Sequence, residues 1–118
     1  MPAKQLLQDK ERKFQLLFEE HPQPMWVIDP TERKILAANS AAATLYGHTR
    51  DQFRGMSLDA VLVSEETGRP AGNPRRHRTG SGRMIDVEMA RHHVDFGGHP
   101  AELVVLMDVT ATRLLEEQ

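Results

Sequence analysis

The chain of 118 residues has no cysteine, which removes disulfides, thiolate catalysis and cysteine metal sites together. It has no apolar run of about 18 residues, so nothing in it has the length and composition to span a membrane as a helix. Met1 to Lys13 is too polar for a secretory signal, and a cytoplasmic location is expected for this segment. It also lacks a large charge of either sign: the net value of -2 gives no general attraction to nucleic acid. Catalytic patterning is missing too. No Ser-His-Asp order, paired carboxylates or metal tripod has local support, and Asp86 is the one poor candidate for an acid facing a cavity.

What is present is one domain with a modest core, 39% apolar and 27% charged. Its organising stretch is Ala101 to Gln118. Leu103 to Met107 is uninterruptedly apolar, and a strand shows alternate side chains to opposite faces. This strand is therefore expected at the centre of a sheet, covered on both sides. Asp108, Val109 and Thr110 then lead into helix formers from Ala111 onward, so the most buried strand feeds directly into an exiting helix.

Earlier in the chain, Leu7, Phe14, Leu17 and Phe18 recur at helical spacing among charged residues, which predicts an amphipathic helix over residues 1–21. Pro22 and Pro24 end it. Met25 to Asp29 reads as a strand, Asp29 to Glu32 as a turn, and Lys34 to Ala38 as the returning strand. Asn39 caps a helix of small residues that ends at Gly47, and Thr49 with Gln52 forms a capping box for one more turn. Leu58 to Val63 is a further short apolar piece, and Ser64 to Asn73 is mostly loop with room for one helical turn at Glu65 to Thr67. Pro74 to Thr79 is a basic strand, and Gly80 to Gly82 is a hairpin turn lying between two strands, hence no phosphate loop. Arg83 to Phe96 is a long strand that returns through Gly97 to Pro100. The fold expected is α+β: a five-stranded antiparallel sheet with short helices on one face, flanked by helices at both ends.

Arg69 to His93 carries six arginines against Asp86 and Glu88, six minus two, or +4. Protection of a sheet edge explains it, with an anionic ligand or partner as the other reading. The histidines suggest no metal site, because His92 and His93 are adjacent on a strand and point to opposite faces.

The sequence FQLLFEEHPQPMWVID, the tract KILAANSAAATLYGHTRDQFRG, the strands of HRTGSGRMIDVEM and the exit DVTATR, in this order, resemble the PAS sensor domains. The resemblance covers Phe14 to Gln118 and implies a sensor domain over residues 22–110 and the start of an output helix over 111–118. It implies a sensory module of a larger cytoplasmic regulator, a histidine kinase or a cyclic-dinucleotide enzyme, with the effector domain downstream in the same chain. The alternative is a ligand-free dimerisation module. A small ligand would lie between helices and sheet, with Ile28, Asn39, Tyr46, Phe53, Leu58, Val61, Val87 and Leu106 as candidate walls. Trp26, Tyr46 and Phe53 serve equally as core, and Asn39 is a cap before it is a ligand contact. Asp108 and Thr110 match the family's junction between last strand and output helix, and Thr110 also suits a helix cap. Leu7, Phe14, Leu17 and Phe18 would hold a homodimer together. No cofactor is assigned. Haem-binding members use a histidine in the segment before the third strand, which Ser64 to Asn73 lacks, and light-sensing flavin members use a cysteine. Non-covalent flavin stays open.

Overall fold

The computed structural model describes residues 15–62 and 75–112. Leu7 and Phe14, the loop Ser64 to Asn73 and the output helix beyond residue 112 lie outside these. In chain order the elements are a helix at residues 15–20 (α1), β1 (Met25–Asp29), β2 (Lys34–Ala38), α2 (Ser40–Tyr46), α3 (Arg50–Phe53), a 3-10 turn at Leu58–Ala60, β3 (Arg75–Arg78), β4 (Met84–Phe96) and β5 (His99–Asp108). The five strands form one antiparallel sheet in the order β2-β1-β5-β4-β3. The α+β arrangement is the one expected.

Local chemistry accounts for the turns. The Asp29 carboxylate accepts from the amides of Thr31 and Glu32 at 2.9 and 3.2 Å, which folds the β1–β2 connection back on itself. Arg33 there has a positive φ of 57°, a strain not signalled by its residue type. Thr49 and Gln52 make both bonds of the capping box that starts α3. Gly97 and Gly98, with φ of 60° and 84°, join β4 to β5 through a two-residue turn between Phe96 and His99. Gly80, in the β3–β4 turn, donates its amide to the Tyr46 carbonyl at 2.7 Å, and a Cβ there would stand 2.8 Å from the Gly47 oxygen. This close approach ties the end of α2 to the sheet.

The core lies between the inner sheet face and α2, α3 and the 3-10 turn. Trp26, Ile35, Tyr46, Phe53, Val61, Ile85, Val87, Val104 and Leu106 are all buried there. A smaller cluster on the outer face collects Phe18 from α1 with Met25, Val27 and Ala101. β5 does run through the middle of the sheet, between β1 and β4. Its coverage differs from expectation, however. Val104 and Leu106 on the inner face are buried, Leu103 and Val105 on the outer face are half-buried, and Met107 is 50% exposed. The register explains this. β1 begins at Met25, opposite Val105, so Met107 lies past the end of its neighbour, and Phe18 packs at the other end of the strand.

Candidate functional site

On the inner face, β1, β5, β4 and β3 present their alternate residues to one cavity of about 540 Å³, a volume in the usual range for small-molecule sites. Its apolar wall comes from Trp26, Ile28, Leu58, Leu62, Met89 and Val104, and His77 closes one side. Arg33, Arg75 and Arg91 complete the lining. Of the walls expected from sequence, Ile28 and Leu58 stand on the cavity. Tyr46, Phe53, Val61, Val87 and Leu106 are instead core residues with no exposure, packed behind it.

Asn39 is likewise fully buried, and the protein's own backbone occupies it. Its Oδ1 accepts from the amides of Ala42 at 2.9 Å and Met25 at 3.0 Å, while Nδ2 donates to the Gln23 carbonyl at 2.9 Å. One side chain thus caps α2 and fixes the start of β1.

The polar heart of the site is the pair Tyr46 and His77. The Tyr46 hydroxyl lies 2.7 Å from His77 Nδ1, and the Trp26 ring stacks on the imidazole with centroids 5.9 Å apart. Burial, then the charge of Asp108, pushes the phenol above its ordinary range, so it keeps its proton. Burial, then Arg75 and Arg91, lower His77 to about 4, so the ring is neutral at pH 7. Fewest buried groups are stranded if the phenol donates to Nδ1, which places the imidazole hydrogen on Nε2. That Nε2 is buried with no hydrogen-bond partner, and so is Trp26 Nε1. Both nitrogens are sealed from the cavity by the groups packed around them.

The donor set decides what the site suits. Haem ligation through His77 needs a lone pair on Nε2, which reverses the tautomer and strands the Tyr46 hydrogen, so these residues do not fit haem.

Sequence reasoning names neither His77 nor Arg33 as a site residue, and reaches Arg75 and Arg91 only as members of the basic tract read as a protected sheet edge or an anion site. Period-two alternation carried further would have found two of them. Ile85, Val87, Met89 and Arg91 share one face of β4, and Arg75 shares the face of His77 on β3. Arg91 stands opposite Val104 in the ladder, and Trp26 stands opposite the same residue from β1. Arg33 stands in the β1–β2 turn with a left-handed backbone, outside any strand alternation, so spacing gives no signal for it. The basic tract divides accordingly. Arg75 and Arg91 turn to the cavity, whereas Arg76 lies 3.7 Å from half-buried Asp86 and Arg78 is exposed on the edge strand β3.

At the exit from β5, the Asp108 carboxylate accepts from the Thr110 amide at 3.0 Å and the Thr110 hydroxyl at 2.6 Å. The Thr110 hydroxyl accepts from the Asp86 amide at 2.9 Å, and the Val109 amide donates to the Asp86 carbonyl at 2.8 Å. Thr110 thus spends its hydroxyl on β4 rather than on capping the helix it begins.

In the dimer set, Phe18 is 8% exposed and packs on its own sheet, while Leu17 is 65% exposed and Leu16 is 52% exposed. Among the described residues no helix is long and apolar enough to cross a membrane.

Comparison with known proteins matches this arrangement. No curated protein matches the chain in sequence. Among solved structures, a PAS domain from a two-component sensor histidine kinase is 21% identical and superposes with a TM-score of 0.68, covering 86% of this chain and 98% of that one. The PAS domain of an HTR-like protein from Haloarcula marismortui is 17% identical with a TM-score of 0.68, covering 89% and 96%. A Rhodobacter sphaeroides LOV protein is 17% identical with a TM-score of 0.70, covering 86% and 68%. At these identities the likeness is one of fold. The family model described as PAS domain matches residues 12–79, which is 68 of the 118 residues, and the chain belongs to the PAS domain family.

Proposed function

We propose that the chain is the sensory module of a larger cytoplasmic signalling protein, in which occupancy of the inner cavity biases the junction at Asp108 and Thr110. Catalysis belongs to a downstream domain. The observation that carries this reading is the polar tie at the end of β5: Asp108, Thr110 and the Asp86 backbone join the strand lining the cavity to the first turn of the exiting helix. A ligand can shift that junction only by binding one of its arrangements better than the other.

Asp108→Ala removes both bonds to Thr110, and we expect amide exchange at Thr110 and its neighbours to quicken about tenfold, worth about 1.4 kcal/mol locally. A compound that stabilises the protein should change exchange over residues 108–112 as well. A compound that raises the melting temperature and leaves that exchange untouched would refute the sensory reading.

A ligand-free dimerisation module is the second reading, and the exposure of Leu16 and Leu17 beside buried Phe18 favours it. Leu17→Lys leaves the protomer core alone. It should turn a sedimenting dimer into a monomer, and a dimer that survives the change would remove Leu17 from the interface.

A further inference from the structure

We infer that the Tyr46 hydroxyl is a two-way donor that positions the output junction: it gives its hydrogen to His77 while that ring holds its place in the cavity wall, and to the Asp108 carboxylate once the ring is displaced. The inference rests on the sensory reading of the cavity and names the residue through which the cavity reaches the junction.

The two ends of this route are fixed by geometry. His77 lines the cavity from β3, and its Nδ1 lies 2.7 Å from the Tyr46 oxygen. Its Nε2 is sealed, so a ligand acts on the ring as a body, by pressing it aside, and not by bonding it. At the other end, Asp108 follows buried Leu106 on the inner face of β5, opposite Val87. Among the charged groups described, Asp108 is the one whose charge bears on the phenol. Its two bonds to Thr110 both fall on Oδ1, and its other oxygen accepts nothing from the described residues. The carboxylate that the phenol feels thus keeps one acceptor oxygen in reserve.

Between these ends, Tyr46 cannot follow His77. It is the last residue of α2, its carbonyl accepts from the Gly80 amide at 2.7 Å, and its ring lies against Trp26 and Phe53 with centroids 5.2 and 5.9 Å away. What remains free is rotation of the hydroxyl about its C–O bond. A buried hydroxyl that loses its acceptor is costly, so the hydrogen turns to the next acceptor available. Asp108 is exposed, and its swing inward to meet the buried phenol draws Oδ1 away from the Thr110 amide and hydroxyl. Thr110 then keeps only its bond from the Asp86 amide, and the first turn of the exiting helix loosens.

The test is amide exchange of the whole chain, read at Thr110 and set against each variant's global stability from urea unfolding. His77→Phe keeps a ring beside Trp26 and offers the hydroxyl no acceptor. His77→Leu does the same with a smaller side chain, should the phenylalanine not fold. Either should quicken exchange at Thr110 three- to tenfold beyond its global effect. Tyr46→Phe alone should leave Thr110 within twofold of wild type, and adding it to the His77 variant should bring the quickened exchange back to that range. Stability gives an independent reading: Asp108→Ala should lower the folding equilibrium constant at least threefold further in the His77 variant than in wild type, because the hydroxyl has then lost both acceptors.

Unchanged exchange at Thr110 in the His77 variant, quickened exchange that survives Tyr46→Phe, or Asp108 and His77 costs that simply add would overturn the inference. If such a result came with a stabilising compound that still changes exchange over residues 108–112, the sensory reading would stand and only the route through Tyr46 would fall.

Discussion

Asn39→Ala should lower the unfolding free energy by about 2–4 kcal/mol. The change strips a cap, worth about 1 kcal/mol, and also leaves the Met25 amide and the Gln23 carbonyl without their partner in a buried place, at about 1–3 kcal/mol. Against a total of roughly 5–15 kcal/mol for a domain of this kind, that is a large fraction. Urea unfolding followed by the fluorescence of Trp26, the chain's single tryptophan, measures it directly. The midpoint should fall with an unchanged slope, because the surface exposed on unfolding stays the same. Asn39→Ser offers a control. Its hydroxyl can still cap Ala42 but is too short to hold Met25 as well, so it should regain about 1 kcal/mol. A loss below about 1 kcal/mol for Asn39→Ala would mean that water or a shifted backbone replaces the side chain, and the description of Asn39 as a two-way tie would fail.

Acidification should cost the fold roughly 3 kcal/mol through His77 alone. The folded imidazole titrates near 4 against an ordinary value of 6.5, so the folded state resists the proton that the unfolded chain accepts. Above pH 6.5 both states are neutral there and the stability is complete. Between 6.5 and about 4 the unfolded state binds more protons, and stability falls with pH. Below about 4 both states are protonated and this contribution has gone. The groups around the ring fit this sign. Tyr46 from α2 is neutral, Trp26 from β1 is apolar on that side, and Arg75 on β3 and Arg91 on β4 are cations that disfavour a second positive charge. His77→Gln loses the titrating group. The unfolding free energy of wild type relative to the variant should therefore fall by roughly 3 kcal/mol from pH 7 to pH 4, whatever the variant's stability at neutral pH. A difference constant over that window would show that His77 titrates normally in the folded protein.

The elements whose residues speak through local chemistry were legible before any coordinates. Asn39, Gly47, Thr49 and Gln52 mark helix ends by capping, the Gly97-Gly98 pair marks the last hairpin, and both helix limits of α2 fall where these residues place them. The unbroken apolar run of β5 placed that strand in mid-sheet. Coverage of its outer face was overread, because an apolar side chain at Met107 does not reveal that the neighbouring strand starts two pairs earlier. The candidate site was harder. A residue's face follows from alternation, but whether it lines the cavity or sits behind it depends on how far it lies from the helices. That distance separates Tyr46 and Phe53 from Trp26 and Ile28. His77 was hidden for another reason: in a basic tract, nothing in RRHR distinguishes the one side chain that turns inward and finds a phenol.

The sheet's seam has a consequence for how the chain closes. β3, β4 and β5 follow one another as a meander, with only Gly97 and Gly98 between the last two. Among the described residues, the strands β1 and β2 pair with this meander along the four pairs from Met25–Val105 to Ile28–Glu102. Those partners are roughly 80 residues apart along the polymer, so drawing them together is entropically dearer than turning the Gly97-Gly98 corner by roughly 3 kcal/mol. The first strand is in this sense a latch set into a part that can assemble from its own neighbours, and Asn39 and Gln23 are the catches that hold the latch shut at its open end.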